Sequence, residues 1–173
     1  CFKGPPLPGR WRAVYPATVT LLCTSLAWIA LCASLAWWGR RVPPADERHD
    51  APTDDGWVLT LHRFRPPPGV TLQPIPVVLG HGILMTRFCW ELSPATSVPR
   101  WLARRGHDVW VAEYRGTPSS VPPPTGDRWG YDARDHAWSD VPAILDTVRA
   151  VTGAPTASWV GHSMGGLVAM LHA

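Results

Sequence analysis

The chain has 173 residues, 46% of them hydrophobic, and a net charge of +3, which allows one packed domain and an appendage. Its arginines are scattered rather than gathered into a basic and aromatic stripe, which argues against a nucleic-acid partner. The four cysteines, Cys1, Cys23, Cys32 and Cys89, show neither a CxxC pair nor Cys/His ligand spacing, which argues against a zinc site and against a disulfide framework.

Residues 1–16 form an N-terminal flank carrying Lys3, Arg10 and Arg12. Residues 17–38, ATVTLLCTSLAWIALCASLAWW, contain no charged residue. At about 1.5 Å per residue this run is long enough for a helix to cross about 30 Å of hydrocarbon. Arg40 and Arg41 flank its far end, and Trp37 and Trp38 stand where an interfacial aromatic belt is expected. The run therefore predicts one transmembrane helix and a single-pass membrane protein. A cleaved signal peptide is the rival, with Ser34-Leu35-Ala36 as the small-residue site, but the apolar run exceeds an ordinary h-region. A buried helix of a soluble domain is the third reading. Basic residues tie across the span, so orientation stays open.

Residues 39–55 are polar and proline-rich, the composition of a linker. From 56 to 173 short β-rich runs alternate with helical patterns. Residues 54–64, DDGWVLTLHRF, open on a turn signal and continue as an alternating strand. Residues 75–82, IPVVLGHG, read as a short buried strand. Ser97 can cap a helix over 97–106 with Pro99 in its first turn and Gly106 at its end. Residues 108–114 read as a strand, and 117–130 as a Pro/Gly loop. Val141, Ile144, Leu145, Val148 and Val151 recur at helical spacing over 140–153. Residues 156–161 form another strand and 164–173 another helix. Such alternation predicts an α/β fold with a mostly parallel sheet and flanking helices.

The stretch WVGHSMGGLV, 159–168, places Gly161, Ser163, Gly165 and Gly166 between a strand and a helix. Glycine is costly in either element unless the backbone requires it. Gly-x-Ser-x-Gly in this setting matches a nucleophile elbow, a sharp turn that lifts a serine above the sheet. The glycines let strand and helix approach closely, and the serine stands at a helix N-terminus whose N–H groups favour a developing oxyanion. A glycine-rich turn without chemistry is the bland alternative. Gly80-His81-Gly82-Ile83 ends an earlier apolar strand, where the second oxyanion donor of an elbow enzyme is found.

With these motifs in hand the chain resembles the α/β-hydrolase family over residues 50–173. DGWVLTLHRF, VVLGHGI, WGYDARDHAWSDVPAILDTV and WVGHSMGG are most similar to its acid and gastric lipase branch and bacterial relatives. Where that branch has Asn-x-Arg-Gly-Asn, this chain has Glu113-Tyr114-Arg115-Gly116-Thr117. The resemblance implies an α/β-hydrolase fold, an ester or lipid-like substrate, and no cofactor or metal. It implies Ser163 as nucleophile and the N–H groups of Ile83 and Met164 as the oxyanion hole. Gly161, Gly165, Gly166, His81 and Gly82 then support the elbow and its facing loop.

The family takes its acid and its histidine from positions after the nucleophile. Here only His172 follows Ser163, about 13.5 Å further along a helix, out of reach of the hydroxyl. His162 and His81 are expected to be structural. Asp132, Asp135 and Asp140 are expected to be helix-start or surface carboxylates. The chain is therefore expected to hold the fold only as far as the elbow and to be inactive alone, as the N-terminal part of a membrane-anchored serine hydrolase. An acyltransferase with the same nucleophile and a non-catalytic membrane protein are the alternatives.

Overall fold

A computed structural model describes residues 9–39, 44–125 and 128–173, and the chain divides into two units, 1–41 and 42–173. In the first unit, helix α1 spans Gly9–Gly39. Its leucines Leu21, Leu22 and Leu26 are exposed, as are Trp28 and Ile29. The hydroxyls of Thr24, Ser25 and Ser34 each donate to a carbonyl of the preceding turn. Among the described residues no helix is long and apolar enough to cross a membrane, so the expected transmembrane helix is not met there as a span. The uncharged run 17–38 extends at both ends past 19–35, the residues of α1 whose side chains are described. Lys3, Arg40 and Arg41 lie outside the described residues, as do the side chains of Arg10, Arg12, Trp37 and Trp38.

The second unit is a five-stranded sheet with helices on both faces. Its strands are β1 Glu47–Pro52, β2 Val58–Phe64, β3 Val77–Gly80, β4 Val109–Glu113 and β5 Ser158–Gly161, in the spatial order β1-β2-β4-β3-β5. Strand β3 is parallel to both β4 and β5, while β2 is antiparallel to β1 and β4. Four strands thus point one way and only β2 points the other.

Strand β1 falls inside the polar stretch expected to be a linker. Its charges obscured it: Ala51 is its one buried residue, and its outer positions are Arg48, Asp50 and Pro52. Ion pairs stand in for apolar packing. Glu47 lies opposite Arg63 in the register and accepts from its guanidinium at 2.9 Å, and Arg63 also grips Asp108. His49, Arg63 and Arg65 together hold the Glu47 carboxyl down to about 2.

The central strands are covered on both sides, which explains their unbroken apolar sequence. Along β4, Trp110 and Ala112 join one core with Leu59, Leu61, Val78, Ile144, Val148 and Val168. Val109 and Val111 face the other core, with Phe64, Leu79 and Ala103. Helix α2, Val98–Ala103, covers that second face. The Ser97 hydroxyl caps it by accepting from the Arg100 N–H, as expected from the sequence, and Gly106 turns away from it at φ 93°. On the first face a short helix α3, Ala133–Asp135, widens into a π-turn over His136–Asp140 and continues as α4, Val141–Thr152. Pro142 has no N–H to give the carbonyl of the preceding turn, which favours the wider geometry just before it. Helix α5, Met164–His172, follows β5 directly.

Candidate active site

The β5–α5 junction is a strained turn. Ser163 stands at φ 51°, ψ −118°, a region that non-glycine residues avoid. Its neighbours leave little choice. The His162 N–H donates to the Gly80 carbonyl at 2.9 Å, and the N–H groups of Gly166 and Leu167 donate to the Ser163 carbonyl. The Trp159 indole N–H donates to the Gly165 carbonyl at 2.9 Å. A Cβ on Gly161 would collide with the backbone of Gly165 and Gly166, and one on Gly165 with the carbonyls of Gly80 and His81. Gly166 is less confined, since its added Cβ would come to 3.3 Å from the Gly161 oxygen.

The loop after β3 lies against this turn. An added Cβ on Gly82 would stand 3.3 Å from the Ser163 Cβ and 2.9 Å from the His162 ring. Ile83 follows, 66% exposed. Met164 opens α5, so its N–H belongs to the first turn, which has no acceptor inside the helix. Ser163, Ile83 and Met164 line one cleft of about 490 Å³, together with Tyr131, Asp132, Ala133, His136 and Leu167. The cleft is thus mostly apolar. The Ser163 hydroxyl is exposed and has no hydrogen-bond partner among the described residues.

His81 is buried beneath the loop. One ring nitrogen, Nδ1, lies 2.8 Å from the Gly82 carbonyl, and Nε2 accepts from the Tyr114 N–H at 3.5 Å. Burial is the main cause that lowers its pKa. Glu113, at the position where the acid-lipase pattern carries Asn, is also buried and accepts the Arg87 N–H at 2.8 Å, which ties the far end of the loop to β4. Burial raises the Glu113 pKa against the opposing Arg87 bond and charge.

The histidines and acids named from sequence are dispersed. His162 is exposed beside a small apolar hollow formed with Met85, Cys89, Trp90 and Leu92. His172 ends α5, and its Nδ1 is enclosed with no hydrogen-bond partner among the described residues. Asp132 is exposed and Asp135 half-buried, and they form a capping box at the start of α3, in keeping with the expectation for them.

Asp140 departs from that expectation: it is fully buried. It accepts from the Arg115 Nε at 2.8 Å and from the Arg115 backbone N–H at 3.3 Å, and pairs with the His136 Nδ1 at 2.8 Å. Arg115 reaches on to Asp55 at 2.6 and 3.1 Å. Burial works against the Arg115 charge, but the hydrogen bonds and charges of Asp55 and Asp140 outweigh it and raise its pKa. His136 was not singled out from sequence, although it stands four residues before Asp140 and could share a helical face with it.

Residues 77–173 match the alpha/beta hydrolase family. Lipase 3 of Drosophila melanogaster is 34% identical over 127 residues, 69% of this chain and 32% of that protein. Human gastric triacylglycerol lipase is 29% identical over 140 residues, 76% of this chain and 34% of that protein. The chain spans about a third of the length of the curated relatives it matches. An α/β serine hydrolase without lid from Xanthomonas campestris has a similar fold, at a TM-score of 0.56 and 20% identity over 75% of this chain and 56% of that one.

Proposed function

The chain belongs to the α/β-hydrolase family, and on that premise we propose that Ser163 is the nucleophile of a lipase-like serine hydrolase acting on carboxylic esters. The observation that carries this reading is the strained elbow: Ser163 at φ 51° between glycines that admit no side chain, opening onto an apolar cleft. Backbone strain of about 1–3 kcal/mol persists where the surrounding structure enforces it, which is common at reactive centres. In the proposed reaction the Ser163 oxygen attacks the ester carbonyl and gives up its proton to a base. The N–H groups of Ile83 and Met164 receive the oxyanion, and the alcohol leaves as the acyl-enzyme forms. Water then attacks the acyl-enzyme, releasing the carboxylic acid and restoring the serine.

Family pattern calls for a histidine base and an acid from beyond the elbow. We propose that turnover needs both of these groups and that residues 1–173 by themselves are inactive. A fluorophosphonate probe tests the nucleophile. It should label Ser163 in the full-length protein and fail on Ser163→Ala, which should also reduce ester hydrolysis by several orders of magnitude. Undiminished labelling of Ser163→Ala would place the nucleophile elsewhere.

Residues 17–38 are proposed as a membrane anchor. The reading is supported by the absence of charge in this run, the helical course of α1, and hydroxyls bonded within the helix itself. Carbonate extraction should leave the protein in the membrane pellet. Full-length protein in the supernatant would overturn the anchor, and a shortened soluble form would point to a cleaved signal peptide.

A further inference from the structure

The cleft beside Ser163 holds one buried polar ring that the proposed chemistry does not use. His136 lines it with a side chain only 8% exposed. An aliphatic side chain would close the same wall without needing a hydrogen-bond partner. Instead the structure commits a fully buried aspartate to this ring. Because a carboxylate only accepts, the Asp140 contact requires the proton on Nδ1. The tautomer with its proton on Nδ1 presents a lone pair at Nε2. That nitrogen has no hydrogen-bond partner among the described residues, and it is not sealed within protein.

The ring is held firmly. Asp140 is fixed by Arg115, which is fixed in turn by Asp55, so three charged groups from distant parts of the chain set the orientation of one imidazole. Tyr114 and Tyr131 pack edge-on against the ring, with centroids 5.5 and 5.3 Å away. The π-turn adds a further sign, since the Val141 N–H reaches back to the His136 carbonyl, and such turns are frequent at functional sites. Buried ion pairs give little net stability. A defined tautomer at a defined place in a cleft is what this set supplies.

We propose that His136 is a substrate-binding residue whose Nε2 accepts a hydrogen bond from a hydroxyl near the scissile ester, so that the cleft favours hydroxyl-bearing esters such as those of polyols. This rests on the reading of Ser163 as the nucleophile, whose cleft it shares. Asp140 and Arg115 are positioning residues acting through His136. Among the other lining residues, Asp132 is occupied by the helix cap and the Tyr131 hydroxyl lies against Gly116, while Ile83, Ala133, Met164 and Leu167 offer no side-chain acceptor for a hydroxyl.

The test compares 2-hydroxyethyl butanoate with propyl butanoate, which differ by a hydroxyl in place of a methyl, as substrates of the full-length protein. The ratio of their kcat/KM values should fall about 10-fold in His136→Leu, the effect of one lost neutral hydrogen bond. It should be largely kept in His136→Gln, which retains an acceptor. A merely structural role would depress both esters alike, so an unchanged ratio in His136→Leu overturns the proposal. Nitrogen NMR of His136 at pH 8 gives a readout independent of turnover. A bare Nε2 with Nδ1–H is expected, and a proton on Nε2 would overturn the assignment. Fluorophosphonate labelling separates the two readings. If the wild type labels at Ser163 and the ratio does not change, only the His136 proposal falls. If Ser163 does not label, the nucleophile reading falls.

Discussion

The α carbon of Gly165 sits so close to the Gly80 carbonyl that no side chain fits between them. This contact locks α5 onto the end of β3, and Gly161 makes the matching approach from β5. Both obstacles are backbone atoms, which cannot swing aside as a side-chain tip would.

Gly165→Ala and Gly161→Ala should therefore each destabilise the protein by about 3 kcal/mol or more, at the upper end for overpacking. Gly166→Ala should be much milder, because its added methyl would stand 3.3 Å from its nearest neighbour, the Gly161 oxygen, against well under 3.0 Å at Gly165 and Gly161. Urea unfolding of the three variants checks the ranking. Equal losses at 165 and 166 would contradict it.

Burial favours the neutral form of Glu113, whose carboxyl oxygen accepts the Arg87 N–H. Glu113→Gln keeps an oxygen in place and should change stability little. Glu113→Ala leaves a backbone donor without its partner and should cost about 1–3 kcal/mol. Amide exchange at Arg87 should accelerate in the alanine variant and stay slow in the glutamine variant.

Burial, with the charges of Arg87 and Arg48, pushes the His62 pKa down to about 4. The unfolded chain takes up this proton near pH 6.5, before the folded chain does. Between those values the unfolded state binds more protons, so the His62 contribution to stability falls as pH falls. The buried Glu113 and Glu91 act in the opposite sense, since burial raises their pKa values. The informative quantity is thus the difference between wild type and His62→Gln. Urea midpoints should show the wild type losing ground to the variant from pH 7 to pH 4, and a pH-independent difference would refute this.

The elbow was legible in the sequence because its glycines answer a local need, and local needs leave local spacing. The Ser97 cap and the apolar periodicity of 141–151 were legible for the same reason. Strand β1 was not, because ERHDAP gains its place from pairing with Arg63 and its neighbours rather than from an apolar face. The Asp55–Arg115–Asp140–His136 set was equally hidden. Two of its three pairs join residues 60 and 25 positions apart, and each acid taken singly looks like a surface or capping group.

The strand order carries a consequence for how the protein is made. During synthesis β3 can pair with β4 once Val109–Glu113 has emerged, but β5 must find β3 across a loop of about 80 residues, from Val77 to Ser158. The tight turn at Ser163 depends on that last docking, since it is the Gly80 carbonyl and the β3 terminus that hold it in shape. A growing chain therefore carries an ordinary, relaxed serine until β5 settles beside β3. The proposed nucleophile takes its strained shape only when β5 has paired with β3.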